Sequence, residues 1–121
     1  MTEKVNSKLF DLEARTQIFA KSCREFVKKL PKAVGNYEDG KQLVRSSGST
    51  AANYIEANES LSKRDFCHRV KICRKEAKES ILWLNLCDTG SNEILNTERI
   101  GLIKETTELM KIFGAIIEKV K

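Results

Sequence analysis

One proline interrupts the whole chain. Pro31 and six glycines are the strongest helix breakers in 121 residues. A chain so poor in breakers is constrained toward long helices rather than many short strands joined by tight turns. Its charged residues are mostly Lys and Glu, which are good helix formers.

Apolar residues recur between the breakers at steps of three and four. Leu12, Thr16, Phe19, Cys23, Phe26 and Leu30 trace one face of a helix predicted from about Leu9 to Leu30. Pro31 stops it, because proline disfavours helical geometry in the residue before it. A linker with Gly35, Asn36, Asp39 and Gly40 is expected next. The segment from about Lys41 to Asn58 has Val44, Gly48, Ala51 and Ile55 in helical register. Its run Ser46-Ser47-Gly48-Ser49-Thr50-Ala51-Ala52 has poor helix propensity. Small residues nevertheless let two helix backbones approach closely, so the segment reads as a helix inside a bundle.

The third segment opens with Ser62, three residues before Asp65, which resembles a capping box with Asp in place of the usual Glu. Phe66, Val70, Cys73, Ala77, Ile81 and Leu84 follow as one stripe, and Gly90 is the expected terminator. A last helix is predicted from about Thr97, with Ile103, Met110, Phe113, Ile117 and Val120 inward. Segments of about 18 to 24 residues span about 27 to 36 Å at 1.5 Å per residue. Joined by short linkers, they predict an all-α, antiparallel, up-down four-helix bundle, with residues 1–121 as one domain. With 40% hydrophobic and 32% charged residues, the chain can bury a core without staples.

The formal charge of +5 permits nucleic-acid or acidic partners without demanding them. Cys23, Cys67, Cys73 and Cys87 lack the paired spacing of a zinc knuckle, and His68 is the one imidazole. Met1 to Phe10 is polar and unlike a secretory signal, and no stretch approaches a membrane span. These features predict a cytoplasmic protein with reduced thiols, no membrane partner, and no metal or cofactor.

The most informative polar pattern lies on the third segment. Arg64, His68, Lys71, Lys75 and Lys78 recur at steps of four, three, four and three, with Arg74 on the flank. Asp65, Glu76 and Glu79 fall on the opposite flank. Lys21, Arg24 and Lys28 repeat the idea on the first helix. Packed side by side, the two stripes would merge into a basic strip facing phosphates. The competing reading is a solvated helix face. No aromatic residue interleaves with the stripe, which argues for backbone contact and against base stacking.

Apolar residues exceed what one bundle interior needs. Ile72, Trp83 and Leu86 on the third helix, and Leu109 and Ile116 on the fourth, are candidate contacts for a homo-oligomer. Asn53 and Glu56 are expected to face the bundle interior, Glu56 with a basic partner. A carboxylate metal site is disfavoured, because position 65, three residues before His68, is Asp rather than Glu. No phosphate loop, dinucleotide fingerprint or nucleophile elbow is present. Cys67 and His68 are neighbours on a helix and point in different directions. The protein is therefore expected not to be an enzyme.

Several runs carry a resemblance. Gln42-Leu43-Val44-Arg45-Ser46, Ala52-Asn53-Tyr54-Ile55-Glu56-Ala57-Asn58-Glu59-Ser60, Lys63-Arg64-Asp65-Phe66, and Lys75-Glu76-Ala77-Lys78-Glu79 with Trp83-Leu84 are among them. Together they resemble the bacterial four-helix-bundle proteins first found encoded in intervening sequences of ribosomal RNA genes. That family also includes the accessory proteins of diversity-generating retroelements, which are basic and bind nucleic acid and a reverse transcriptase. The resemblance implies an up-down bundle that assembles into a homopentamer. It supplies no catalytic residues. Many members have Glu-Gly where this chain has Glu56-Ala57. The reading favoured by the residues and the resemblance is an oligomeric bundle that associates with RNA or DNA. A protein-interaction scaffold with no nucleic-acid role is the alternative.

Overall fold

The structure is a computed structural model that describes the backbone from Thr2 to Lys121 and the side chains of residues 12–121. The side chains of the stretch Met1 to Phe10, Leu9 among them, lie outside the described residues. Four helices follow one another: α1 (Thr2–Lys28), α2 (Val34–Asn58), α3 (Lys63–Leu86) and α4 (Glu93–Val120). Cross-helix pairs establish the antiparallel sense. Arg45 and Asn53 of α2 reach Glu76 and Arg69 of α3, so numbers rise on one helix as they fall on the other. Each helix packs on its neighbours around the square, with α4 closing on α1. Among the described residues the backbones of α1 and α3 make no close approach, which sets the two helices diagonally across the core.

The predicted faces of α1 and α3 are those the bundle uses. Leu12, Thr16, Phe19, Cys23, Phe26 and Leu30 are buried, as are Val70, Cys73, Ala77 and Leu84. Phe66 packs at the core edge, and Ile81 is half-buried. Phe113 and Ile117 of α4 are buried and Phe113 meets Tyr54 of α2 with ring centroids 6.2 Å apart. Burial of each such large side chain stabilises by about 1.5–3 kcal/mol.

On α2 the predicted face is turned. Ile55 is exposed, Val44 and Gly48 are half-buried, and the inward set is Leu43, Ser46, Ser47, Thr50, Ala51, Tyr54 and Ala57. Hydroxyls go inside because they are satisfied there. Thr50 Oγ1 donates to the Ser46 carbonyl at 2.9 Å, and Ser46 and Ser80 share a hydrogen bond at 2.7 Å. A helix carbonyl three or four residues back removes most of the cost of burying a hydroxyl. The small side chains then let α2 and α3 approach.

Three boundaries also differ from expectation. Helix α1 runs Thr2–Lys28 rather than from about Leu9 to Leu30. Gly35 to Gly40 belong to α2 rather than to a linker. Gly40 serves packing, since a Cβ there would come 2.8 Å from Val27 Cγ1. Helix α4 starts at Glu93, four residues before Thr97, because Asn92 caps it by accepting from Leu95 N at 3.1 Å. The turn before it uses positive φ at Gly90 and Ser91. Ser62 caps α3 by accepting from Asp65 N at 3.1 Å, as its spacing predicts.

Candidate nucleic-acid interface

Burial of Val70, Cys73, Ala77 and Leu84 fixes the rotation of α3, and that rotation separates its charges. Arg64, His68, Lys71, Lys75 and Lys78 all point to solvent, with Arg74 exposed beside them. Among the described residues none of these side chains has a hydrogen bond or ion pair in the structure. Arg74 reaches toward α4, where Gly114 leaves room: a Cβ built there would lie 3.9 Å from Nη1. Arg69, on the α2 side, is instead held by Asn53 Oδ1 at 3.0 Å.

Two acids of the same helix, Glu76 and Glu79, are turned against α2, while Asp65 in its first turn is exposed. Glu76 is buried and accepts from both Arg45 terminal nitrogens at 3.3 Å and from Ser49 Oγ at 3.3 Å. Glu79 accepts from Arg45 Nη2 and from Trp83 Nε1. Burial alone would raise the Glu79 carboxyl, but the bonds from Trp83 and Arg45, with the charge of Arg45, outweigh it and hold the carboxyl below its ordinary range. The carboxylates therefore do not neutralise the outward cations.

The expected merger with α1 does not occur. Helices α1 and α3 occupy opposite corners, so Lys21, Arg24 and Lys28 form a separate group. Arg24 Nη1 donates to the Ala20 carbonyl at 3.2 Å and its guanidinium lies over Gly48 of α2. Lys28 pairs with Glu25 at 3.3 Å. Lys21 is exposed.

The expected buried polar pair is also corrected. Asn53 is half-buried and Glu56 is exposed, because α2 is rotated so that Tyr54 and Ala57 face inward. The buried carboxylate is Glu76, a residue read from sequence as a flank acid. Its signal was available in the complementary Arg45 on the neighbouring helix.

Of the candidate oligomer contacts, Leu109 is removed, since it is wholly buried within the bundle. Ile72, Trp83 and Ile116 are half-buried, the latter two packed on the core edge, and Leu86 is 52% exposed. Leu82 is 49% exposed and continues the outward row below Lys78. Exposed Ile18, Val34, Tyr37, Leu61, Ile94 and Ile100 lay outside the candidate set.

Burial pushes the thiols of Cys23 and Cys73 up to about 12 and that of Cys87 to about 11. Among the described residues no group of three His, Cys, Asp or Glu could hold a metal. No helix among them is long and apolar enough to cross a membrane.

The family model of the 23S rRNA-intervening sequence proteins matches residues 11–115. No curated protein matches the sequence. A solved structure from Bacteroides thetaiotaomicron, a protein of unknown function from the S23 ribosomal protein family, is 28% identical. It covers 88% of this chain and 97% of its own, with a TM-score of 0.74.

Proposed function

We propose, for a chain that belongs to the 23S rRNA-intervening sequence protein family, a non-enzymatic role. It is a self-associating cytoplasmic bundle that holds nucleic acid by its phosphates through the outward face of α3. The observation that carries this reading is the separation of charge on that helix. Two of its acids, Glu76 and Glu79, are engaged by Arg45 on one flank, and the third, Asp65, stands exposed at the N-terminal end. Arg64, Lys71, Lys75 and Lys78 are left exposed and uncompensated on another, with Arg74 beside them.

Such a row neutralises phosphates and releases their counterions, which favours binding whatever the base sequence. With no aromatic side chain in the row, bases are not stacked and selectivity is weak. The family's name makes RNA the first nucleic acid to try. Several copies around a closed ring, five by the resemblance, would multiply weak contacts into useful affinity. Leu82 and Leu86, exposed below the basic row, are suited to bring copies together.

A second reading rests on those same exposed apolar side chains: an oligomeric scaffold for protein partners, without nucleic acid. Titration of RNA and DNA against the wild type and a Lys71→Glu, Lys75→Glu double variant separates the two. Loss of binding in the variant supports the first, and unchanged binding supports the second.

A further inference from the structure

The hairpin of α1 and α2 carries a groove that the basic face of α3 does not use. It measures about 780 Å³, and its floor is apolar: Val27, Leu30, Pro31, Val34, Tyr37 and Val44. Val34 is 84% exposed and Tyr37 70% exposed, so the protein presents two large apolar side chains to water at one place. We propose that this groove is a docking site for an acidic amphipathic helix of a partner protein.

The groove is held in shape before any partner arrives. Buried Asn36 donates to the carbonyls of Pro31 at 2.9 Å and Asp88 at 2.8 Å, and accepts from Asp88 N at 2.7 Å. These bonds latch the α1–α2 turn to the α3–α4 turn. Gly90, in a left-handed conformation, lets that second turn lie under Pro31: a Cβ there would come 2.9 Å from Pro31 Cγ. A preformed surface avoids the ordering cost of binding.

Charge decides the occupant. Every charged side chain lining the groove is a lysine: Lys28, Lys32 and Lys41. Lys28 and Lys41 make exposed pairs with Glu25 and Glu38 one turn away. Exposed pairs hold weakly, and an incoming carboxylate can replace them. The Lys41 ammonium also lies 5.4 Å from the centre of the Tyr37 ring, at the edge of the apolar floor. The groove spans the C-terminal end of α1, the turn and the first half of α2, and an amphipathic helix laid in it sets apolar residues at i, i+3, i+4 and i+7 on the floor while flanking acids meet the lysines. A second copy of this chain, itself at +5, is the poorer electrostatic match.

The test uses a fluorescent helical peptide with leucines at those positions and glutamates on both flanks. Two controls accompany it, one with the leucine positions scrambled and one with lysine flanks. Anisotropy is read against the full chain, Val34→Asn, and a Lys32→Glu, Lys41→Glu double variant. All three sites are exposed, so the bundle stays folded, which circular dichroism checks. The acidic peptide should bind the wild type in preference to both controls. Val34→Asn should weaken it about tenfold or more, the amount expected from one unburied valine. The lysine reversal should transfer preference to the lysine-flanked peptide. The proposal is overturned if the scrambled peptide binds equally or both variants bind as wild type does. It is equally overturned if Val34→Asn lowers the mass of the protein's own assembly, which would assign the groove to a second copy. Loss of RNA affinity in Val34→Asn would overturn it too, by assigning the groove to nucleic acid.

Discussion

Arg45 of α2 lays its guanidinium across the carboxylate of Glu76 on α3, with both terminal nitrogens 3.3 Å from an oxygen. The same guanidinium reaches Glu79, which also receives the indole N–H of Trp83 at 3.1 Å. Arg45, Glu76, Glu79 and Trp83 all lie in the runs that carry the family resemblance. Their meeting at one seam gives those runs an architectural meaning: they lock α2 to α3.

Removing the arginine leaves a buried carboxylate without its charge partner. Arg45→Ala should cost about 1–3 kcal/mol. That is less than a wholly buried pair would lose, because the Arg45 side chain is itself 47% exposed. Urea denaturation checks the value, and a loss under about 0.5 kcal/mol would mean the seam is held by packing alone.

Two leucines on one helix should answer differently. Leu84 is wholly buried, and Leu84→Ala should cost about 2–5 kcal/mol. Leu86 is half exposed, and in the isolated bundle Leu86→Ala should change stability by about 0.5 kcal/mol or less. Equal losses in chemical denaturation would contradict the placement of α3.

The cysteines predict both a reactivity order and an alkaline limit. Cys23, Cys73 and Cys87 are buried and Cys67 is half-buried, so iodoacetamide should label Cys67 first in the native protein. Burial raises the folded thiols from an ordinary 9.0 to about 12 for Cys23 and Cys73 and about 11 for Cys87. The unfolded chain therefore releases these protons first. The stability they contribute is whole below pH 9 and is lost as pH rises toward 11 to 12. Cys73→Ala should make the fall in stability above pH 9 shallower, and a slope unchanged from wild type would count against the burial.

Self-association is expected from the exposed Leu82 and Leu86. A specific interface should bury at least about 1,000 Å². Light scattering at micromolar concentration should report a multimer, and Leu82→Glu with Leu86→Glu should reduce its mass. A monomeric wild type would end the ring model.

Much of this molecule was legible in its sequence. The stripes Leu12–Leu30 and Phe66–Leu84 are long, strongly periodic and bounded by Pro31 and Ser62, so both α1 and α3 could be placed with their inward faces. Helix α2 was harder. Its inward face is built of Ser46, Ser47 and Thr50, whose burial depends on hydrogen bonds to their own helix that hydrophobic periodicity does not register. That shifted the predicted face, exposed Glu56, and hid the true buried acid, Glu76. Leu109 was misplaced for a related reason: α4 is apolar around so much of its surface that periodicity does not select one face. The α3 basic row was readable because charge spacing on an exposed helix needs no tertiary information. Its separation from the α1 cations depends on which helices share an edge, which no local pattern encodes.

The most direct test of the proposed role is a salt-dependent titration of RNA and DNA against wild type and the Lys71→Glu, Lys75→Glu double variant. Both side chains are exposed and away from the core, so the variant should fold as wild type does. Wild-type affinity should fall steeply with salt, with a log–log slope of about −0.9 per phosphate on duplex DNA and about −0.7 on single strands. The variant should bind more weakly across all sequences, with a shallower slope. Binding by the variant equal to wild type at both low and high salt would show that the α3 row is a solvated face, and would contradict the proposed role.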